Sequence, residues 1–396
     1  MSAQNPVFIP GPTNMPEELR KACDIATIDH RSPAFGHMFR PAVAGVKRVL
    51  QMGAGEVFLL PSTGTGGWEA AISNTLSPGD TVLAARFGMF SHRWIDLCLR
   101  HGLTVEILET PWGQGAPLAR IEAALRADRD HRIKVVLATH NETATGVRSD
   151  IAGIRRAMDA AGHPAMLFVD GVSSIASMPF SFDAWGVDIA VAGSQKGFML
   201  PAGLAILGVS PKALAAMETA RLPRCFFDFG DQIRSNATGG FPYTPPVGLI
   251  AGLARSIEML EEEGLEAVYA RHHRLAEGVR RAVAAWGMRP CAALPDLYSD
   301  TITAVVVPEG CNGTELVQLA AQKYGVAFGV GLGEVAGKVF RIGHLGMLTD
   351  VMVLAGLATA EMCMADLGWP IRLGSGVAAA QAFYRGTAQP VAMAAE

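Results

Sequence analysis

Lys196 stands in VDIAVAGSQKGFMLPAGLAIL, with apolar stretches on both sides of it. A lysine held in apolar surroundings has a lowered pKa and becomes a usable amine nucleophile, whereas a solvated one stays protonated. Asp170 closes the apolar run AMLFVD 26 residues earlier (196 − 170), about one strand–helix–strand unit. In a parallel sheet both residues fall at the carboxyl ends of strands, along the edge where open α/β sheets bind ligands. A carboxylate there can pair with a pyridinium nitrogen, keeping such a ring protonated and able to accept electrons. The plainer readings are a surface lysine and a turn or cap carboxylate. Neither accounts for both residues ending apolar strands at this spacing.

A third feature is Ser62-Thr63-Gly64-Thr65-Gly66-Gly67, between VFLLP and the helical pattern WEAAISNTL. A glycine-rich turn opening a helix presents free N–H groups and the positive dipole end, which suits a phosphate. It is a poor dinucleotide fingerprint, because no acidic residue ends the next strand, TVLAA, and the absence of Gly-Lys-Ser/Thr excludes a P-loop. A nicotinamide dehydrogenase built on Gly64–Gly67 would leave Asp170 and Lys196 unexplained. The fourth feature is Arg341, in the apolar strand pattern GKVFRIGHLG. Its planar fork suits a carboxylate, and a buried structural ion pair is the equal alternative. Amine, ring partner and phosphate cradle together describe a site for pyridoxal 5'-phosphate held as a Schiff base on Lys196.

These residues need a scaffold. Between about residues 56 and 210, VFLLP, TVLAA, VEILE, KVVLATH, AMLFVD and VDIAVAGS read as buried strands alternating with amphipathic helices. That order predicts an α/β fold with a mainly parallel sheet covered on both faces. After two helices near 247–286, mixed strands and helices without a regular crossover predict a smaller C-terminal α+β domain. The expected division is an N-terminal arm over 1–20, a large domain over 21–265 and a small domain over 266–396.

Composition narrows the partners. The net charge of −4 leaves no electrostatic footprint for nucleic acid. Cys23, Cys98, Cys225, Cys291, Cys311 and Cys363 are scattered without a C-x-x-C pair, so neither a zinc site nor a disulfide framework is expected. The start shows no basic stretch followed by an apolar run, no apolar run suffices for a bilayer, and the closing VAMAAE is no peroxisomal address. A cytoplasmic protein acting on small molecules, without metal, is expected.

The segments PGPTNMP, DHRSPAF, STGTGGWEAA, THNETATGV, FVDGVSS, GSQKGF, YTPP, GKVFRIGHLG and LGSGVAAA, in this order, span nearly the whole chain. Together they resemble the class V aminotransferases among the fold-type I pyridoxal-phosphate enzymes, and within them the serine/alanine/aspartate–glyoxylate group. The resemblance implies a large domain with a mainly parallel seven-stranded sheet. It implies that Lys196 holds the cofactor and that Asp170 meets its pyridine nitrogen. Thr63, Gly64, Thr65 and Gln195 would bind the phosphate, Thr143 the phenolic oxygen, and Phe90 the ring face. Arg341 would grip the substrate α-carboxylate, with Gly11 and Arg31 also at the substrate. Tyr243 and Thr244 would reach the cofactor of a second subunit, so a homodimer with shared active sites is implied. The tyrosine used there by some relatives aligns with Phe241. Gln195 stands where the related cysteine desulfurases carry histidine, which sets that branch aside. The implied reaction is ping-pong transfer from an amino acid to a 2-oxo acid, with glyoxylate as acceptor. Serine is the first expectation for the donor and aspartate, through Arg31, the second. His30 and Arg31 otherwise serve only to tie the N-terminal segment down.

Overall fold

The alternating sequence from residue 56 onward folds into a seven-stranded sheet in the computed structural model, which describes residues 6–387. The first five residues of the expected arm and the closing VAMAAE lie outside the described residues. In chain order the strands are β1 (Val7–Phe8), β2 (Glu56–Ser62), β3 (Thr81–Arg86), β4 (Thr104–Glu109), β5 (Ile133–Thr139), β6 (Asn141–Glu142), β7 (Val147–Arg148), β8 (Met166–Asp170), β9 (Ile189–Gly193) and β10 (Gly203–Val209). They continue with β11 (Arg289–Pro290), β12 (Ile302–Val306), β13 (Ala327–Val330) and β14 (Val339–Gly343). The large sheet has the order β2-β10-β9-β8-β5-β3-β4. The pairs from β9 through β8, β5 and β3 to β4 are parallel, and β10 runs antiparallel to both β9 and β2.

Side chains alternate across this sheet, as a two-residue period requires. Leu59, Leu83, Val136, Leu167, Val169, Ala190 and Ile206 enter one buried cluster. Their neighbours Phe58, Val82, Val135, Phe168, Ile189 and Leu207 enter the cluster on the other face. Both faces are covered, which is why the strands read as unbroken apolar runs. The first four helices are α1 (Glu17–Cys23), α2 (Pro33–Leu50), α3 (Gly64–Thr75) and α4 (Met89–Arg100). Trp68 of α3 stacks on Trp94 of α4 with ring centroids 5.5 Å apart, a contact that fixes the two helices bordering the site and adds about 1 kcal/mol beyond burial.

A second sheet, in the order β1-β13-β14-β12-β11, packs its own cluster around Phe328, Phe340, Leu357 and Trp369. Its outer strand comes from the other end of the chain: Val7 and Phe8 pair in parallel with Ala327 and Phe328. One expectation changes. The passage from Asp170 to Lys196 is not a strand–helix–strand unit, since the residues between β8 and β9 form turns without an α-helix. The Ser-, Pro- and Gly-rich segment GVSSIASMPFSFDAWG offers turn formers where a helix would need an uninterrupted run. The strands remain parallel neighbours, with Asp170 opposite Val191. Among the described residues no helix is long and apolar enough to cross a membrane.

Candidate active site

Asp170 is the last residue of β8 and lies opposite Thr139, the last residue of β5. It is buried, and its carboxylate accepts a hydrogen bond from Val172 N at 2.9 Å. The indole N–H of Trp68 is near enough to favour the ionised carboxylate, yet it has no partner at full hydrogen-bond geometry. Burial, reinforced by the nearby Glu142 carboxylate, pushes the Asp170 carboxyl up to about 7. Lys196 follows β9 in a turn whose backbone is tied to Gly193 O at 3.3 Å. Its pKa is drawn down to about 8, first by burial and then by the charge of Arg341, with Asp170 opposing. The two residues therefore lie close enough to sense each other at the carboxyl edge of the sheet, but no ion pair within 4.0 Å joins them.

The N-terminal segment closes on Lys196. Its ammonium donates to the carbonyl of Pro10, and Thr13 N donates to Gln195 O at 3.3 Å. Gly11 has φ +100°, and a Cβ built on it would sit 2.5 Å from Lys196 Cδ and 2.8 Å from Nζ. Glycine is required there twice over, for its backbone and for the lysine beside it.

Thr63 caps α3 in extended conformation without a side-chain bond to the helix. The first bond of the helix is Gly67 N to Thr63 O at 3.0 Å, so the N–H groups of Gly64, Thr65 and Gly66 are open to a ligand in the way expected of a helix start. The side-chain oxygen Oε1 of Gln195 is buried without a partner. Thr143 is buried, with its hydroxyl 2.9 Å from that of Ser173.

Arg341 lies in the middle of β14 and is 7% exposed. Nε donates to Val330 O at 2.7 Å and Nη1 to Thr143 O at 3.0 Å. No carboxylate lies within 4.0 Å of it among the described residues, so it is not a structural ion pair. Burial pulls its pKa down to about 10. A buried guanidinium resting on two carbonyls retains donors for an incoming carboxylate.

Not every expected residue joins this cluster within one chain. Phe90 is half-buried on α4, where it packs against the buried cluster on that face of the sheet and lies 5.5 Å from the Arg93 guanidinium. Tyr243 donates its hydroxyl to Asp231 at 2.7 Å and stacks on Phe226, while Thr244 is exposed. Phe241 packs edge-on against Phe39. Arg31 is exposed, with its backbone N–H on Asp29 and no side-chain partner among the described residues. The residue that sequence reasoning passed over is Glu142, wholly buried in β6. No local pattern marks it: the polar His140 and Asn141 separate it from the end of β5, and its partners are backbone N–H groups.

The chemistry of these donors fits pyridoxal phosphate. Three open N–H groups suit a phosphate, Asp170 has acceptor capacity to spare, and Lys196 is a half-buried amine without a counter-ion among the described residues. An α/β sheet bearing these groups along its carboxyl edge defines a fold-type I pyridoxal-phosphate enzyme. The chain belongs to the class-V aminotransferases, whose family model matches residues 20–342. It is 68% identical over 387 residues to the L-aspartate--glyoxylate aminotransferase of Paracoccus denitrificans, covering 98% of each chain. It is 52% identical to the serine--glyoxylate aminotransferase of Methylorubrum extorquens, covering 96% of each. The crystal structure of pyridoxamine-pyruvate aminotransferase from Mesorhizobium loti superimposes with a TM-score of 0.90 at 30% identity, over 97% of this chain and 98% of that one.

Proposed function

We propose that this chain moves the amino group of a small L-amino acid onto glyoxylate, releasing glycine and a 2-oxo acid, with aspartate as the preferred donor. The observation that carries the reading is Lys196: a half-buried amine without an ion-pair partner among the described residues, set beside Asp170 and within the field of Arg341. Aspartate is placed ahead of serine because the relative at 68% identity is named for aspartate. Serine, named for relatives at 52%, is the second reading.

Pyridoxal phosphate, when bound, supplies a carbonyl that takes up the amino group and a ring that withdraws electrons from the substrate α-carbon. The chain does the rest. Thr63, Gly64, Thr65 and Gln195 would hold its phosphate. Asp170 would keep a proton at the pyridine nitrogen, Thr143 would meet the phenolic oxygen, and Phe90 would cover the ring. Arg341 fixes the α-carboxylate of donor and acceptor in turn, which orients the α-carbon toward Lys196. With its pKa near 8, the Lys196 amine is partly unprotonated at neutral pH, and it takes and returns the α-proton as a general base and acid. One site used by two substrates in succession gives ping-pong kinetics.

The remaining parts of the reading are a homodimer in which Tyr243 and Thr244 complete the neighbouring site, a cytoplasmic location in keeping with six unpaired cysteines, and an arm, large and small domain over 1–20, 21–265 and 266–396. A donor panel with glyoxylate as acceptor tests the function. Aspartate is expected to give the highest kcat/KM. A higher value for serine would favour the second reading, and no glycine from any donor would overturn the proposal.

A further inference from the structure

Glu142 is 0% exposed and has no cationic partner within 4.0 Å among the described residues. Its carboxylate instead accepts from three backbone N–H groups on two separate elements. Phe90 N lies 3.2 Å from Oε1 and 3.0 Å from Oε2, Ser91 N lies 2.9 Å from Oε2, and Ala144 N lies 3.1 Å from Oε1. Phe90 and Ser91 open α4, whereas Ala144 belongs to the turn between β6 and β7. Both oxygens are engaged, and a carboxylate, having acceptors only, is the group that can serve N–H donors on every side. Gly88, just before α4, makes room for it: a Cβ there would lie 2.6 Å from Oε2.

The same turn carries Thr143, whose hydroxyl meets Ser173 and whose carbonyl holds Arg341. The charge on Glu142 also acts on Asp170 and on Arg341. One buried side chain thus joins the helix bearing Phe90 to the turn bearing Thr143 and, through that carbonyl, to the arginine of the second sheet. Burial raises the pKa of Glu142 and the three N–H bonds oppose that rise.

We propose that Glu142 is a positioning residue of the transamination site, a carboxylate that sets Phe90, Thr143 and Arg341 in register with one another. This rests on the site reading given above. A residue that merely capped α4 would affect stability alone, so the test reads the bound cofactor. Glu142→Gln places an amide NH2 against N–H donors that both carboxylate oxygens had served, leaving a buried donor unpaired. Reconstituted with pyridoxal phosphate, this variant is expected to show an altered visible circular dichroism band and about tenfold weaker cofactor binding. The KM for amino donor is expected to rise with it. Asp150→Ala is the control: it removes the side chain that accepts from Gly153 N–H at the start of the helix over Ile151–Ala160, and is expected to lower Tm while leaving the band in place.

A wild-type band and affinity in Glu142→Gln would overturn the proposal, as would the same altered band in Asp150→Ala. Should Glu142→Gln not yield folded protein, Glu142→Asp, which keeps the charge but shortens the reach, is judged by the same two readouts. Failure of the underlying reading looks different, because wild-type protein would then give no visible band with pyridoxal phosphate.

Discussion

Arg341 and Thr143, 198 residues apart in sequence, meet where the guanidinium Nη1 donates to the threonine carbonyl at 3.0 Å. One belongs to β14 of the five-stranded sheet and the other follows β6, which pairs with β7 in a two-stranded sheet just beyond the carboxyl end of β5. The contact places the arginine over the site without consuming it, because a carbonyl neutralises none of its charge. The second anchor, Val330 O, fixes the plane of the guanidinium.

Arg341→Ala is therefore expected to lower kcat/KM for donor and for glyoxylate alike, by about a hundredfold, the scale of a lost charge-assisted bidentate contact. Arg341→Lys restores the charge but not the fork, so it should recover only part of the loss. Steady-state kinetics on both half-reactions check this. An effect confined to one substrate would show that Arg341 does not serve the α-carboxylate common to both.

Gly11→Ala bears on the N-terminal segment. Its Cβ would have to occupy space 2.5 Å from Lys196 Cδ, at a φ of +100° that alanine rarely adopts. The lysine must move, so the fraction of protein carrying trapped cofactor after borohydride reduction is expected to fall severalfold. Far-UV circular dichroism should be unchanged, since β1 ends at Phe8, before this position. Normal trapping would show that the close approach of Gly11 has no bearing on the amine.

Asp170 makes a pH prediction for cofactor-free protein. Burial raises its carboxyl from the usual 3.8 to about 7, so the folded state binds more protons than the unfolded state between those values. The stability this contributes is fully present below about pH 4 and is lost as pH rises through 7. Lys196, lowered from 10.5 to about 8, acts on a different window: its contribution is present above about pH 10.5 and is lost as pH falls through 8. Asp170→Asn should flatten the decline of Tm between pH 4 and 7, and Lys196→Met the rise between 8 and 10.5. Unchanged slopes in thermal unfolding series would contradict the burial of these groups.

Much of this was readable from sequence, for physical reasons that can be named. The strands of the large sheet are short apolar runs because both faces are covered, and Asp170 and Lys196 stand out as charges ending such runs. What was hidden depends on contacts distant in the chain. Nothing local in Val7–Phe8 reveals that it pairs with Ala327–Phe328. The Asp170–Lys196 crossover was read as helical from spacing alone, although its Ser, Gly and Pro content already favoured turns. Arg341 was balanced between a ligand and an ion pair until its partners proved to be two carbonyls. Glu142 was invisible because its partners are backbone N–H groups, which carry no sequence signature.

The attachment of the cofactor tests the account most directly. Wild-type protein reconstituted with pyridoxal phosphate is reduced with borohydride, digested, and mapped by mass spectrometry. The pyridoxyl mass is expected on the peptide containing Lys196, with the visible band lost on reduction and no trapped adduct in Lys196→Ala. Cofactor found on another lysine, such as Lys212, whose ammonium sits on Ala165 O at 2.9 Å, would contradict it.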